Sequence, residues 1–260
     1  MPSIITLTTD FGLQDSYVGE MKGVIYSINP PVNIVDISHM VEPQNVLEGA
    51  LLISNFYHLY PRGTIHVAVV DPGVGSERRG ILIETEKHLF IGPDNGLFTL
   101  VLKNESIKQI IELSNKDYFR KEVSATFHGR DIFAPVAAHA GLGIAPGSLG
   151  NIIDNPQRLS IPAPFRSDHE IVGEILFIDA FGNATTNIRQ KDLAGRDFEK
   201  ARVVIDHRKI KGIKRTYSDV EEGEPLLLMG SSGCLEIAMN QGDAAEELDL
   251  ERRDKVKVFF

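Results

Sequence analysis

Two short stretches of this 260-residue chain bring together residue types that do nucleophile and acid–base chemistry. Asp71-Pro-Gly-Val-Gly-Ser-Glu-Arg78 sets a carboxylate at the end of an apolar run, follows it with glycines that let backbone approach a ligand, and closes on a guanidinium. Thr126-Phe-His128-Gly-Arg-Asp131 offers an imidazole at the mouth of a predicted helix. An acid, a base and a cation delivered to loop tips by a rigid scaffold are the usual ingredients of a catalytic site. Each has a plainer reading. Gly73-Val74-Gly75 can be a tight turn, Asp71 a helix cap or turn residue, and one of Arg78 and Arg79 a solvated surface charge.

A second set lies further on. Asp179-Ala-Phe181-Gly-Asn183 reads either as a β-turn or as a base-recognition loop. Asn183 offers a donor and an acceptor that match the edge of adenine, and Phe181 a ring that stacks on it. Tyr217 can supply the opposite face. The turn Gly230-Ser231-Ser232-Gly233 has free hydroxyls and amides suited to a carboxylate or an ammonium.

The elements that must position these groups follow from periodicity. Strands are predicted at Ser3–Thr8, Val32–Ile37 and Thr64–Val70, alternating with a helix from Asp15, taken as its N-cap, to the Asn29-Pro30-Pro31 stop, and with a helix over Val46–Tyr60 capped by Asn45. This order predicts an N-terminal α/β domain, residues 1–160, whose mostly parallel sheet is flanked by helices. Asp10 and Asp71 then both sit beyond the carboxyl ends of strands, where such sheets bind ligands. Strands at Gly80–Thr85, His88–Ile91 and Ile107–Glu112 follow, the Gly92–Gly96 turn leads into Leu97–Leu102, and a helix covers Asp131–Ala140 with Pro135 in its first turn. The Gly-, Pro- and Asn-rich stretch Gly141–Pro164 reads as the connection. From 165 to 260, short apolar runs at Ile171–Ile178, Ala201–Ile205, Pro225–Met229 and Val256–Phe260 predict a smaller, mainly β domain, barrel-like or sandwich-like.

Composition removes several classes of function. A formal charge of -9, with no long run of Lys and Arg, argues against a nucleic-acid surface. No stretch approaches the about 20 apolar residues of a membrane span, and the N-terminus lacks the pattern of a signal peptide. The single cysteine, Cys234, fits a reducing cytoplasm and reads as a small packed residue. His39, His58, His66 and His139 are scattered without metal-ligand spacing and read as structural, and neither HExxH nor a dinucleotide or triphosphate loop occurs.

Together these residues resemble a known family, the S-adenosyl-L-methionine (SAM) hydroxide adenosyltransferases, adenosine-forming SAM hydrolases related to the fluorinase and chlorinase enzymes. The resemblance spans the whole chain and rests on Thr9-Asp10-Phe-Gly, Val70-Asp71-Pro-Gly-Val-Gly-Ser-Glu-Arg78, Gly92-Pro-Asp-Asn-Gly96, Thr126-Phe-His-Gly-Arg-Asp131, Asp179–Asn183 and Tyr217-Ser-Asp219, in that order. It implies an N-terminal α/β domain and a C-terminal β-barrel-like domain in a homotrimer, with SAM held between one subunit's N-terminal domain and its neighbour's C-terminal domain. It further implies that Asp71, Arg78 and His128 position the attacking water or hydroxide and that Asp10 holds the ribose diol. Phe181, Asn183 and Tyr217 would lie near adenine, and Asp179 and Ser231 near the methionine end. No cofactor or metal is expected, SAM being the substrate. The halogenases lack the Asp-Arg-His set, so hydroxide rather than halide is the expected nucleophile. The competing expectations are a SAM-dependent halogenase and a non-catalytic SAM or adenosine binding module. The residues alone leave open whether His128 or Asp71 is the base.

Overall fold

Alternation along the first strands decides which residues face which layer. Ile5 and Leu7 on one strand and Val67 and Val69 on its neighbour point into one apolar layer, whereas Ala68 and Val70 point into another. A sheet buried on both sides follows. The computed structural model describes residues 3–205 and 208–260, and its contacts divide into two units, one ending at Ser160 and one running from Ile161 to Phe260.

In the first unit β1 (Ile4–Thr9), β2 (Asn33–Ser38) and β3 (Ile65–Val69) alternate with α1 (Tyr17–Ile28) and α2 (Val46–Phe56). Next come β4 (Gly80–Thr85), β5 (Leu89–Pro93), α3 (Thr99–Asn104), β6 (Ile107–Leu113), α4 (Ala134–Gly141) and β7 (Gly150–Ile153). The sheet order is β2-β1-β3-β5-β4-β6-β7. β2, β1, β3 and β5 are parallel, and β4, β6 and β7 extend the sheet by antiparallel pairing. Met21 and Ile25 of α1 pack with Ala134, Ala137 and Ala138 of α4 over one face. Ile53 of α2 and Val101 of α3 cover the other. Because β1 lies between β2 and β3, the chain leaves β1 toward opposite sides, and the crevice at that reversal is where such sheets receive ligands.

Local chemistry moves several predicted boundaries. The residue before α1 is Ser16, not Asp15, and its hydroxyl donates to Glu20 at 2.7 Å rather than capping the helix. Asn45 does cap α2, its side-chain oxygen accepting from the Glu48 amide at 3.1 Å. The stretch predicted as an open connection carries β7, an edge strand paired with β6. Arg79 is not a solvated charge. It donates to the Asp94 carboxylate and to Asn155, and Asp94 also accepts from the Gln157 amide, so the segment after β7 is tied to the β5 end.

The second unit contains β8 (Phe165–Arg166), β9 (Glu170–Ile178), β10 (Ala184–Arg189), β11 (Arg202–Ile205), β12 (Arg208–Lys211), β13 (Ile213–Lys214), β14 (Pro225–Met229), β15 (Cys234–Met239), α5 (Ala244–Leu248) and β16 (Lys255–Phe259). Its order is β12-β11-β16-β9-β10-β15-β14-β13, with β8 paired to β9, and β12 returns to contact β14 so that the sheet curls toward a barrel. Ile171, Ile188, Val203, Leu235, Ile237 and Val258 fill its core. All described pairs are antiparallel except β13 with β14. Among the described residues no helix is long and apolar enough to cross a membrane.

His66 of β3 is 1% exposed, stacks on Phe90 and meets the Thr6 hydroxyl at 2.8 Å. Burial, reinforced by His88, pushes its pKa down to about 3. The folded state therefore holds it neutral while the unfolded chain protonates it below about pH 6.5. Stability is full above that pH and falls as pH drops toward 3, at about 1.4 kcal/mol per pH unit for this one group. Urea unfolding at stepped pH should show a steeper acid loss for the native chain than for His66→Gln. Equal slopes would remove His66 as the cause.

Candidate active site

The crevice at the β1–β3 reversal is a cavity of about 360 Å³, lined by Asp10, Phe11, Tyr17, Pro43, Gln44, Val69, Asp71, Thr126, Phe127 and His128 among others. Asp10 and Asp71 follow directly from the ends of β1 and β3. The amide of Gln44 donates to Asp10 Oδ2 at 2.8 Å, with Gln44 held in the left-handed region at φ 67°. Next to it, Thr9 Oγ1 accepts from the Phe11 amide and meets His39 Nδ1 at 2.9 Å, and the Gly12 amide donates to the His39 carbonyl. The loop carrying Asp10 is thus pinned to the loop after β2. Burial raises the Asp10 pKa above the ordinary carboxylate value, the Gln44 bond pulls the other way, and Asp71 adds to the rise.

Asp71, Arg78 and His128 form one connected unit. Arg78 Nε donates to both Asp71 oxygens at 2.9 and 3.0 Å, and its Nη2 donates to Asp71 Oδ2 and, at 2.8 Å, to His128 Nδ1. The Asp71 and Arg78 side chains are only 4% and 10% exposed. The guanidinium also lies over the Phe133 ring at 5.3 Å. Arg78 is not among the residues lining the cavity. It sits behind Asp71 and His128 and clamps them.

A guanidinium has no acceptor and cannot give up its charge, so the bond to His128 requires an unprotonated Nδ1. The neutral imidazole then carries its proton on Nε2. Burial first, then the Arg78 charge, lower the His128 pKa, while Asp71 and Asp131 act in the opposite sense. The charged environment and the hydrogen bond select the same state.

Two features let the loops meet. Gly75 has φ 77°, and a Cβ there would fall 2.2 Å from the Ala125 carbonyl oxygen, so only glycine allows this approach. His128 then precedes a π-helical turn, Gly129–Phe133, a wide geometry that recurs at functional sites. Inside that turn Asp131 is fully buried and accepts from Arg120, Arg130 and the Ser124 amide, fixing the loop before His128. Phe11, Tyr17 and Phe127 form a mutually tilted aromatic wall with centroids 5.2–5.8 Å apart. Sequence reasoning did not single out Gln44, Phe127 or Asp131 as functional. The Phe-His-Gly-Arg-Asp run was visible, but nothing in it announced a π-turn.

The second unit has its own cavity, about 590 Å³, lined by Phe181, Asn183, Tyr217, Met239, Gln241 and Asp243 among others. Phe181 is 77% exposed and Asn183 buried. Asp179 does not line this cavity. Its Oδ1 accepts from the Phe181 and Asn183 amides, each at 2.9 Å, and Oδ2 accepts from Asn183 Nδ2 at 3.0 Å, so it shapes the loop. Ser231 is exposed on the turn between β14 and β15, also outside the lining. Met239, Gln241 and Asp243 were missed from sequence, although the Asn-Gln-Gly-Asp turn was a signal. Among the described residues no group of three His, Cys, Asp or Glu side chains could hold a metal ion.

Comparison with known proteins covers nearly the whole chain. Residues 5–150 match the SAM hydroxide adenosyltransferase N-terminal domain, and residues 173–257 match the C-terminal domain of the same family. The (R)-S-adenosyl-L-methionine hydrolase of Methanocaldococcus jannaschii is 35% identical, with 99% of this chain and 96% of that protein covered. A fluorinase of Nocardia brasiliensis is 28% identical over 98% of this chain and 96% of its own. The crystal structure of an uncharacterized conserved protein from Thermotoga maritima superimposes with a TM-score of 0.93 at 37% identity, covering 98% of this chain and 100% of that one.

The clamp makes a directional prediction for His128. Nuclear magnetic resonance titration should find its pKa below the ordinary histidine value. Arg78→Gln should raise it by removing a positive neighbour, and Asp71→Asn should lower it further. Shifts of the opposite sign would mean that the three side chains are not coupled as described.

Proposed function

The chain belongs to the SAM hydroxide adenosyltransferase family, and from that premise we propose that it hydrolyses SAM to adenosine and L-methionine by attack of water at C5′. The observation that carries this reading is the Arg78 clamp on Asp71 and His128, at the edge of a cavity that also contains Asp10. The sulfonium of SAM is already a good leaving group. What remains is to hold a poor nucleophile in line and to take its proton.

The reaction balances without a further reagent. A lone pair of the water oxygen forms the O–C5′ bond, the C5′–S pair returns to sulfur as a neutral thioether, and one proton leaves. Asp10, with its free acceptor positions, takes the 2′,3′-diol and fixes the sugar against rotation. His128, neutral with its proton on Nε2, orients the water as a donor. Its other nitrogen is occupied by Arg78, so Asp71 accepts the proton: a carboxylate has more acceptor positions than Arg78 fills. Arg78 keeps both partners in place and stabilises negative charge as it develops on oxygen. Near-attack positioning of this kind is worth up to ~7–11 kcal/mol. The substrate supplies its own positive leaving group, so neither metal nor cofactor takes part, and chelators should leave the rate unchanged.

Phe181, Asn183 and Tyr217 hold adenine, and Asp179 shapes the loop that presents the first two, with Ser231 beyond it at the methionine end. The protein works in the cytoplasm as a homotrimer, each site combining one subunit's first unit with a neighbour's second. Support for assembly comes from exposed apolar side chains: Tyr17 lines the first cavity and Phe181 and Tyr217 the second, and Leu13 and Met40 are exposed on the loops after β1 and β2.

Incubation with SAM in ¹⁸O-labelled water should give equal amounts of methionine and adenosine, with the label on the 5′ oxygen. A chlorinated nucleoside in chloride would make the protein a halogenase, and tight binding without product a binding module. Asp71→Asn should lower kcat by roughly 10²–10⁴-fold, and His128→Gln by less. The reverse order would assign the base to His128. A mixture of Asp71→Asn and Asn183→Ala chains, co-refolded, should recover activity that neither shows alone. No recovery would refute shared sites.

A further inference from the structure

The turn Gly92-Pro-Asp-Asn-Gly96 takes no part in the chemistry described so far. Asn95 begins it as an Asx turn, its Oδ1 accepting from the Leu97 amide at 3.2 Å. Such a turn leaves the other half of the side-chain amide to face water. Here Asn95 Nδ2 instead donates to the Val70 carbonyl at 2.8 Å. Val70 is fully buried and directly precedes Asp71. The pairing of β3 with β5 ends at Val67 and Ile91, so Asn95 grips the chain beyond the end of that ladder. Asp94 holds the other end of the same loop. Its amide donates to the Arg79 carbonyl at 2.9 Å, extending the β4–β5 ladder past Gly80 and Pro93. Its carboxylate, 2% exposed, accepts from Arg79 Nε at 2.9 Å and Nη2 at 2.6 Å. Val70 and Arg79 lie just outside Asp71 and Arg78. Two adjacent residues therefore hold both flanks of the loop whose first and last members close the clamp. Between those flanks Ser76 and Glu77 are exposed, and the Val74 and Arg78 amides donate within the loop, to the Asp71 carbonyl and the Ser76 hydroxyl. The turn itself is locked: Gly96 has φ 93°, and a Cβ there would fall 2.7 Å from Leu159 Cγ. Thr99 Oγ1 donates to the Gly96 carbonyl at 2.6 Å and accepts from the Leu159 amide at 2.8 Å.

We propose that Asn95 is a positioning residue for the hydrolysis: its bond to the Val70 carbonyl, with Asp94 on Arg79, sets where the Asp71 carboxylate meets Arg78 and His128. The inference rests on the SAM-hydrolase reading. The bonds between Asp71 and Arg78 fix those two side chains to each other, not to the sheet. Asn95 and Asp94 tie the pair to the end of β5. A carboxylate that must meet a water held in line with the C5′–S bond tolerates little displacement, since a shift of ~1 Å can cost about 10²-fold in rate. Asn95 does not line the cavity, so its loss should fall on the chemical step and leave SAM binding nearly intact.

The experiment compares native protein with Asn95→Asp and Asn95→Ser. Asn95→Asp keeps the acceptor for the Leu97 amide and puts an oxygen where the donor to Val70 was. Asn95→Ser keeps a turn acceptor without charge and is too short to reach Val70. Steady-state kinetics with SAM, nuclear magnetic resonance titration of His128 and thermal unfolding are measured on each. Both variants should lower kcat by about 10- to 100-fold, with KM for SAM changed far less. Burial and the Arg78 charge hold the His128 pKa down, and a clamp that no longer closes squarely should let it rise. Arg79→Lys, which weakens the other flank, should give the same two changes in smaller measure, and it carries the test if the Asn95 variants do not fold. A lower melting temperature with kcat and the His128 titration unmoved would overturn the proposal, by showing a turn that only stabilises the fold. Equal losses in kcat and SAM affinity, or a kcat loss with His128 unmoved, would also overturn it. If the native protein releases no adenosine from SAM, the hydrolase reading fails instead, and the His128 titration alone decides whether Asn95 sets the clamp.

Discussion

The first unit's cavity depends on one guanidinium. Arg78 joins a carboxylate that follows β3 to an imidazole that precedes a π-turn fifty positions away in sequence. The three groups are mutually dependent. Without Arg78, Asp71 would be an unpaired and nearly buried anion, and breaking such a pair costs about 3–5 kcal/mol. With it, His128 is held in one tautomer and one orientation. The arrangement stabilises itself before any ligand binds, which makes the cavity preorganised: its dipoles need not reorient when charge moves.

That clamp holds only because the surroundings bring its loops within reach. Parallel strands deliver Asp10 and Asp71 to the same edge of the sheet, on either side of the reversal in strand order. Gly75 lets its loop touch the Ala125 carbonyl, and Asp131, bound by two arginines, fixes the segment that ends in His128. Gln44 accepts a left-handed backbone to aim its amide at Asp10. Strain at Gln44 is stored where the cavity needs a donor, as is usual when surrounding packing determines the backbone.

The sequence made the first half of the fold legible because apolar periodicity there is strong and each helix ends at a clear stop. Asp10, Asp71 and His128 were findable because strand ends and a helix mouth are positions that chemistry uses. Three things could not be read. Arg79 lay beside Arg78 with the same side chain, and only the location of Asp94 separates a staple within the scaffold from the clamp beside the cavity. β10, β12 and β15 were missed since their polar residues interrupt the alternation: Asn187, for example, is buried but donates to Pro162 and accepts from Glu174. The third is the set of loop donors that Asp179 gathers. A carboxylate in a Gly-Asn loop can bind its own loop and still keep an acceptor position for a ligand, and spacing carries no information about either.

The charge of the clamp bears on which nucleophile it can hold. Arg78 alone would attract an anion, and a halide could sit beside it once dehydrated. Asp71 changes that balance. Its carboxylate takes the Arg78 charge for itself, at contact distance and with little exposure, and would repel a second anion at the same place. Water has no charge to repel, and it has two protons to offer to acceptors and a lone pair to receive the His128 proton. A pocket with a neutralised guanidinium, a carboxylate acceptor and an imidazole donor is therefore complementary to water and poorly matched to halide. On the proposed reading the oxygen's protons become acidic as it bonds to carbon, and the same carboxylate that repels an anion is the acceptor for one of them.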